Sequence, residues 1–173
     1  MAGRPKEFNR DQVLASAMEV FWVKGYSATS IRELEAATGI GRQSLYNEFT
    51  DKDRLFVEAV EHYNRQVTQE AVDQLTADGS ASANVRAWLE SLIATATRKD
   101  RRGCMLTNAT MCVEITDATM RKATADATRR LEKAIRFAVK AAMQQGQLPQ
   151  TTNVATMSEF LLSTAQGLSL IHI

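Results

Sequence analysis

Four polar side chains between positions 42 and 47 carry the chemistry of base recognition: Arg42, Gln43, Ser44 and Asn47. Arg donates two parallel hydrogen bonds to guanine, Gln and Asn pair with adenine, and Ser reaches a base edge or a phosphate. They are interleaved with Leu45 and Phe49, four apart, which share one face if residues 42–49 form a helix. With that face buried, Arg42, Gln43, Ser44, Tyr46 and Asn47 remain outside, an arrangement suited to the major groove. Lys52 is placed in the first turn of a following helix, where backbone N–H groups also favour an anion. Cys104 offers different chemistry. It follows Gly103 and the cations Arg98, Lys99, Arg101 and Arg102, a setting that favours a thiolate. The same cations suit a helix end, and a buried inert cysteine fits the position as well.

The elements that would position these groups can be read from caps and periodicity. Ser30 with Glu33 three residues on is a capping-box pattern, and Ile31, Leu34 and Ala37 give the helix behind it one apolar face. Gly39 supplies the positive φ of a helix end, and Ile40 is the apolar residue of the turn. Residues 29–55 thus form a helix-turn-helix. Ahead of it, Asn9 and Gln12 start a helix over about residues 10–24 whose stripe is Val13, Leu14, Ala17, Met18, Phe21 and Trp22. The two aromatics are expected in the core. Behind it, Asp51 caps a helix running to about Gln74, with Leu55, Phe56, Ala59, Val60, Tyr63 and Val67 inward.

Taken together, Leu45-Tyr46-x-x-Phe49-x-x-Lys52-x-x-Leu55, Gly25-Tyr26 and Thr29-Ser30-Ile31 resemble the DNA-binding domain of TetR/AcrR-type bacterial regulators. The resemblance covers about residues 6–66 and implies that Ser30, Tyr46 and Lys52 hold DNA phosphates, with Arg42, Gln43, Ser44 and Asn47 facing bases. Arg4 and Lys6, with Arg10, would form a basic N-terminal arm. Gly41 departs from the pattern, which more often has a Ser or Thr cap there; glycine caps nearly as well, at a few tenths of a kcal/mol. Residues 67–173 would then be a helical effector-binding and dimerisation domain. Trp88, Cys104, Met105, Met111 and Phe137 are adaptable enough to line its pocket, and equally ordinary as core. The resemblance implies a homodimer on palindromic double-stranded operator DNA, released by a small-molecule effector. Family members usually continue past Ser169-Leu170-Ile171-His172-Ile173, so the last helix of the dimer interface is expected to be missing.

Composition agrees with an all-α chain. There are 173 residues, 45% of them hydrophobic, with two Pro and eight Gly. Further helices are expected over about residues 83–99, 104–115, 116–145 and from 153 onward, with Ala123, Ala127, Leu131, Ala134, Ile135 and Ala138 inward on the long one. No apolar run approaches the ~20 residues of a membrane span, and the polar N-terminus is no secretory signal, so a cytoplasmic protein is expected. Net charge is uninformative, since residues 1–60 carry 8 Lys/Arg against 9 Asp/Glu. Cys104 and Cys112, eight apart on one helix, would sit about 12 Å apart and could not be bridged. Neither His62 nor His172 has a partner at metal-ligand spacing, and no cofactor is implied. Nucleophile triads, P-loops and metal sets are absent from the sequence, which argues against an enzyme. Three functions are therefore weighed: an effector-released repressor, the same scaffold sensing electrophiles or oxidants through Cys104, and a helical interaction module that does not bind DNA.

Overall fold

Asn9 opens the first helix as its spacing predicts, its side-chain oxygen accepting from the N–H groups of Asp11 (3.0 Å) and Gln12 (3.3 Å). The computed structural model describes residues 8–97, 103–110 and 118–170. The expectations for Arg4, Lys6, the basic run 98–102, Met111, Cys112 and residues 171–173 lie outside the described residues. Among them the chain is all α. Helix α1 (Arg10–Lys24) is followed by α2 (Ile31–Thr38), α3 (Arg42–Phe49), α4 (Lys52–Tyr63), α5 (Gln69–Thr76), α6 (Ala81–Ala96), α7 (Met105–Thr110), α8 (Ala118–Gln144) and α9 (Val154–Leu170).

Two cores organise these helices. The first takes Val13, Leu14, Ala17, Met18 and Phe21 of α1, Leu34 of α2, Leu45 and Phe49 of α3, and the inner stripe of α4. Phe21 meets Phe56 edge to face at 4.9 Å, the preferred geometry for an aromatic pair. Met105 and Ala109 of α7 close the same core. The second core joins Leu75, Trp88, Leu161 and Ala165 to Ala134, Ile135, Ala138 and Val139 of α8. Ala127 and Ala138 are fully buried, so α8 offers its neighbours a surface of small side chains. Ile93 of α6 is 48% exposed.

The expected single helix from Asp51 to Gln74 is interrupted. Asn64–Thr68 between α4 and α5 is π-helical. A π turn holds one residue more than an α turn and so rotates the helix beyond it. The consequence is visible in the burial: Leu55, Phe56, Ala59, Val60 and Tyr63 face the first core, whereas Ala71, Val72 and Leu75 face the second. One continuous rod therefore serves both cores.

His62, on the inner side of α4, is 6% exposed, and its Nε2 has no hydrogen-bond partner among the described residues. Burial, and then the Arg65 charge, hold its pKa below the ordinary 6.5, with Asp11 pulling the other way. The folded imidazole therefore stays neutral where the unfolded chain has already bound a proton. Its contribution is fully present above about pH 6.5 and is lost as pH falls below it, until folded His62 protonates too. Melting curves taken from about pH 7.5 down to about pH 5 are expected to show this loss, and His62→Leu to flatten it. An unchanged slope in the variant would place the loss elsewhere.

Candidate nucleic-acid interface and cavity

Recognition chemistry requires a helix whose outward side chains are free and whose inward ones are fixed. Helix α3 meets both conditions. Leu45 and Phe49 are each 1% exposed, while Arg42, Gln43, Ser44 and Asn47 are all exposed. Gln43 Nε2 donates to Asn47 Oδ1 at 3.0 Å, one helical turn on, which aligns the two amides on one face. The Arg42 guanidinium lies over the Tyr46 ring, 5.2 Å from its centroid. Stacking of this kind holds a long side chain in one arc without removing its donors.

The approach to α3 is set by α2. The Ser30 hydroxyl accepts from Glu33 N (3.3 Å) and donates to Glu33 Oε2 (2.9 Å), and the Ser30 N–H donates to the same carboxylate (2.8 Å). Lys24 pairs with Glu33 as well, and with the Ser30 bonds it lowers the Glu33 pKa to about 2. Both Ser30 donors are thus taken by an ionised carboxylate. The Ser30 side chain, expected at a phosphate, is the N-cap of α2. The turn that follows needs Gly39, whose φ of 73° lets its N–H return to Glu35 O.

Beyond α3 the chain reverses sharply at Thr50. With φ 70° and ψ −57°, and the Asp51 N–H donating to Phe49 O at 2.8 Å, it forms a tight γ-turn. A β-branched residue at positive φ is strained. The turn drops the chain directly into α4, where Asp51 Oδ1 accepts from Arg54 N at 2.7 Å. Lys52 is the first residue of α4, and its ammonium stands 4.2 Å from the Tyr26 ring centroid. Tyr26 in turn donates to Asp53. Lys52 is therefore held beside α3 by a ring rather than by a carboxylate.

Arg10 does not belong to a basic arm. It is the first residue of α1, and its guanidinium lies 5.0 Å over the Phe49 ring. There it bonds Glu48 of α3 (2.8 Å) and Glu58 of α4. The pair explains the correction: two carboxylates of low exposure need a cation, and Arg10 ties three helices together by supplying it.

A cavity of about 390 Å³ lies where the two cores meet. Tyr63 reaches it from α4, Val67 and Thr68 from the π-helical segment, and Trp88 from α6. Cys104 and Thr107 border it near α7, and Leu131 and Leu162 close the far side. Its size falls within the range of small-molecule sites. Among its described lining residues Glu70 alone is charged, so the walls favour an uncharged or cationic, largely apolar occupant. Of the expected pocket residues, Trp88 and Cys104 line it. Met105 does not, because it is buried in the first core, and Phe137 does not, because it sits on the outer side of α8 at 54% exposure.

Trp22 and Tyr63 were missed. Trp22, expected in the core, is half-buried and lines the cavity, with Nε1 donating to Gly103 O at 2.9 Å. Tyr63 meets it edge to face at 5.0 Å and directs its hydroxyl to Cys104 Sγ at 3.8 Å. Burial, then Cys104, push the Tyr63 pKa well above the ordinary 10, so the phenol keeps its proton and donates. The signal available in the sequence was that both residues are aromatics with a polar tip within an apolar stripe.

Comparison with known proteins places this geometry. The family model described as bacterial regulatory proteins, tetR family, matches residues 13–59, and a tetracyclin repressor-like C-terminal domain matches residues 81–171. The HTH-type transcriptional repressor ComR of Escherichia coli K12 is 28% identical over 170 residues, covering 97% of this chain and 81% of ComR. The uncharacterized HTH-type regulator YezE of Bacillus subtilis 168 is 29% identical, with coverage of 98% and 88%. Among solved structures, a cysteine mutant of the TetR family regulator CifR, complexed with 26 bp double-strand operator DNA, superposes with a TM-score of 0.81. It is 29% identical and covers 98% of this chain and 89% of that one. The reduced form of E. coli NemR, 17% identical with a TM-score of 0.82 and coverage of 94% and 85%, shares the fold. No helix among the described residues is long and apolar enough to cross a membrane. With two adjoining family domains that together span most of its length, and an outward-facing helix-turn-helix, the chain belongs to the tetR family of DNA-binding transcriptional regulators.

Proposed function

We propose that the chain is a repressor that binds a palindromic operator as a homodimer and leaves it when a small molecule fills the cavity. The observation that carries this reading is the path of one rod. Helix α4 starts beside the reader at Lys52 and ends in the cavity wall at Tyr63, with Val67 and Thr68 just beyond. An occupant that moves Tyr63 or the π-helical segment must move the frame on which α3 rests. A ligand acts this way only through different affinities for the two arrangements. Its chemistry follows from the walls: an apolar or aromatic body with few polar groups, and no negative charge. CifR, in the structure noted above, is held on double-strand operator DNA, which supports DNA binding by this chain.

Arg42, Gln43, Ser44 and Asn47 read bases in this proposal, and Tyr46 and Lys52 hold phosphates. Replacing Lys52 with Ala is expected to weaken selected and scrambled duplexes alike and to lower the salt slope by about one. Fluorescence anisotropy at two salt concentrations reads both quantities. A change in sequence preference instead would reassign Lys52 to base contact.

A second reading is favoured by the Tyr63–Cys104 contact. A free, half-buried thiol in the cavity wall, hydrogen-bonded by a phenol, is placed to meet an electrophile that enters there. With N-ethylmaleimide the step balances as an addition: a bond forms from Sγ to one alkene carbon, and the thiol proton ends on the other. Cys104→Ser is expected to keep duplex affinity and to abolish release by the reagent. Release that persists in the variant removes this reading.

A further inference from the structure

Helix α3 lacks a cap of its own. Gly41 occupies the N-cap position with φ −72° and ψ 161° and offers no side-chain hydrogen bond. The backbone N–H of Arg42, first residue of the helix, donates instead to Glu35 Oε1 at 2.6 Å, seven residues back on α2. A Cβ built on Gly41 would meet that same oxygen at 3.9 Å, an ordinary contact. The carboxylate thus holds the first N–H of α3, a donor that a Ser or Thr cap at position 41, accepting from the second or third N–H, would leave unbonded.

We infer that Glu35 is the positioning residue of the DNA reader: its carboxylate, reaching across the turn from α2, holds the first N–H of the uncapped α3 and fixes the angle at which Arg42 and Gln43 meet the bases. This rests on the reading of α3 proposed above. The physical reason is the shortness of the helix. Eight residues include only a few intrahelical hydrogen bonds, so the first turn frays unless an acceptor holds it. A cap within the chain, at position 41, would fix only the turn's own geometry. An acceptor on α2 also fixes α3 relative to α2, and the helix dipole reinforces the bond because the acceptor is anionic. Base discrimination, which fails for a misplacement of an ångström, depends on that angle. Phosphate contacts from Tyr46 and Lys52 lie further along and depend on it less.

The test uses the full chain, a duplex it selects from a randomised library, and a scrambled duplex of equal length. Binding is read below the melting temperature of every variant. Glu35→Ala is expected to lower the ratio of selected to scrambled affinity by about tenfold, the share carried by one base contact, with the salt slope unchanged. Glu35→Gln keeps an acceptor oxygen and should retain most of the ratio. The double variant Glu35→Ala with Gly41→Ser caps the second or third N–H of α3 without the tie to α2, and should recover melting while leaving the ratio low. A merely structural glutamate would shift melting and leave the ratio alone, and that result overturns the inference. So does a double variant that regains the full ratio, or a Gln variant as poor as Ala. Arg42→Ala, run alongside, separates the two levels. If it too leaves the ratio unchanged, α3 is not the base reader; if only Glu35→Ala does so, the positioning role alone fails.

Discussion

Replacing Phe49 with Ala is expected to destabilise the protein by about 3–5 kcal/mol, the range for emptying a buried aromatic site. Phe49 is 1% exposed and is the last inward residue of α3, directly before the strained Thr50 turn. Its ring packs in the first core and supports the Arg10 guanidinium, which bonds carboxylates of α3 and α4. Truncation removes the floor of that cluster as well as the ring. The site cannot collapse easily, because the γ-turn on one side and Leu45 on the other fix the helix above it. For a chain of this size the melting temperature should fall by roughly 6–20 °C, read by circular dichroism. A shift of a degree or two would mean that α3 is anchored by something other than Phe49.

The largest effect on binding is expected from Arg42→Ala. An arginine contacting guanine through two hydrogen bonds carries about 1–3 kcal/mol of discrimination, or about 5–150-fold. Arg42 is exposed, stands at the first position of α3, and lies over the Tyr46 ring. Loss of the side chain should relax preference at one base position per half-site while scrambled duplex loses little. Arg42→Lys should not rescue it, since a point charge cannot form the two-pronged contact. Selecting binding sites with each variant reads this directly. If affinity for every sequence fell in parallel, Arg42 would be contacting phosphate.

Much of this architecture was legible in the chain, because the signals were local. The capping box of Ser30 and Glu33, the caps of Asn9 and Asp51, the turn at Gly39 and the Leu45–Phe49 spacing each involve residues within a few positions of one another. What escaped depends on groups distant in sequence. Arg10 looked like part of a basic arm until Glu48 and Glu58 were seen beside it, 38 and 48 residues away. The cavity joins Trp22 to Tyr63, Trp88 and Cys104 across both cores, and periodicity cannot separate a stripe facing a core from one facing a void. The π-helical segment was hidden for the same reason: one inserted residue leaves the apolar content intact and changes only where the stripe points. Phe137 shows the reverse case, an aromatic that composition places inside and geometry leaves on the outer side of α8.

In the function proposed above, α3 reads a two-fold symmetric DNA site and the cavity governs it. Selection of the unmodified chain on a randomised duplex library tests the first half most directly. An inverted repeat is expected to be enriched, with half-sites about one helical turn, 34–36 Å, or a whole multiple of it apart. Binding to that repeat should resist scrambled competitor and fall steeply with salt. Enrichment of no sequence, or of a single half-site with no symmetry mate, would contradict it.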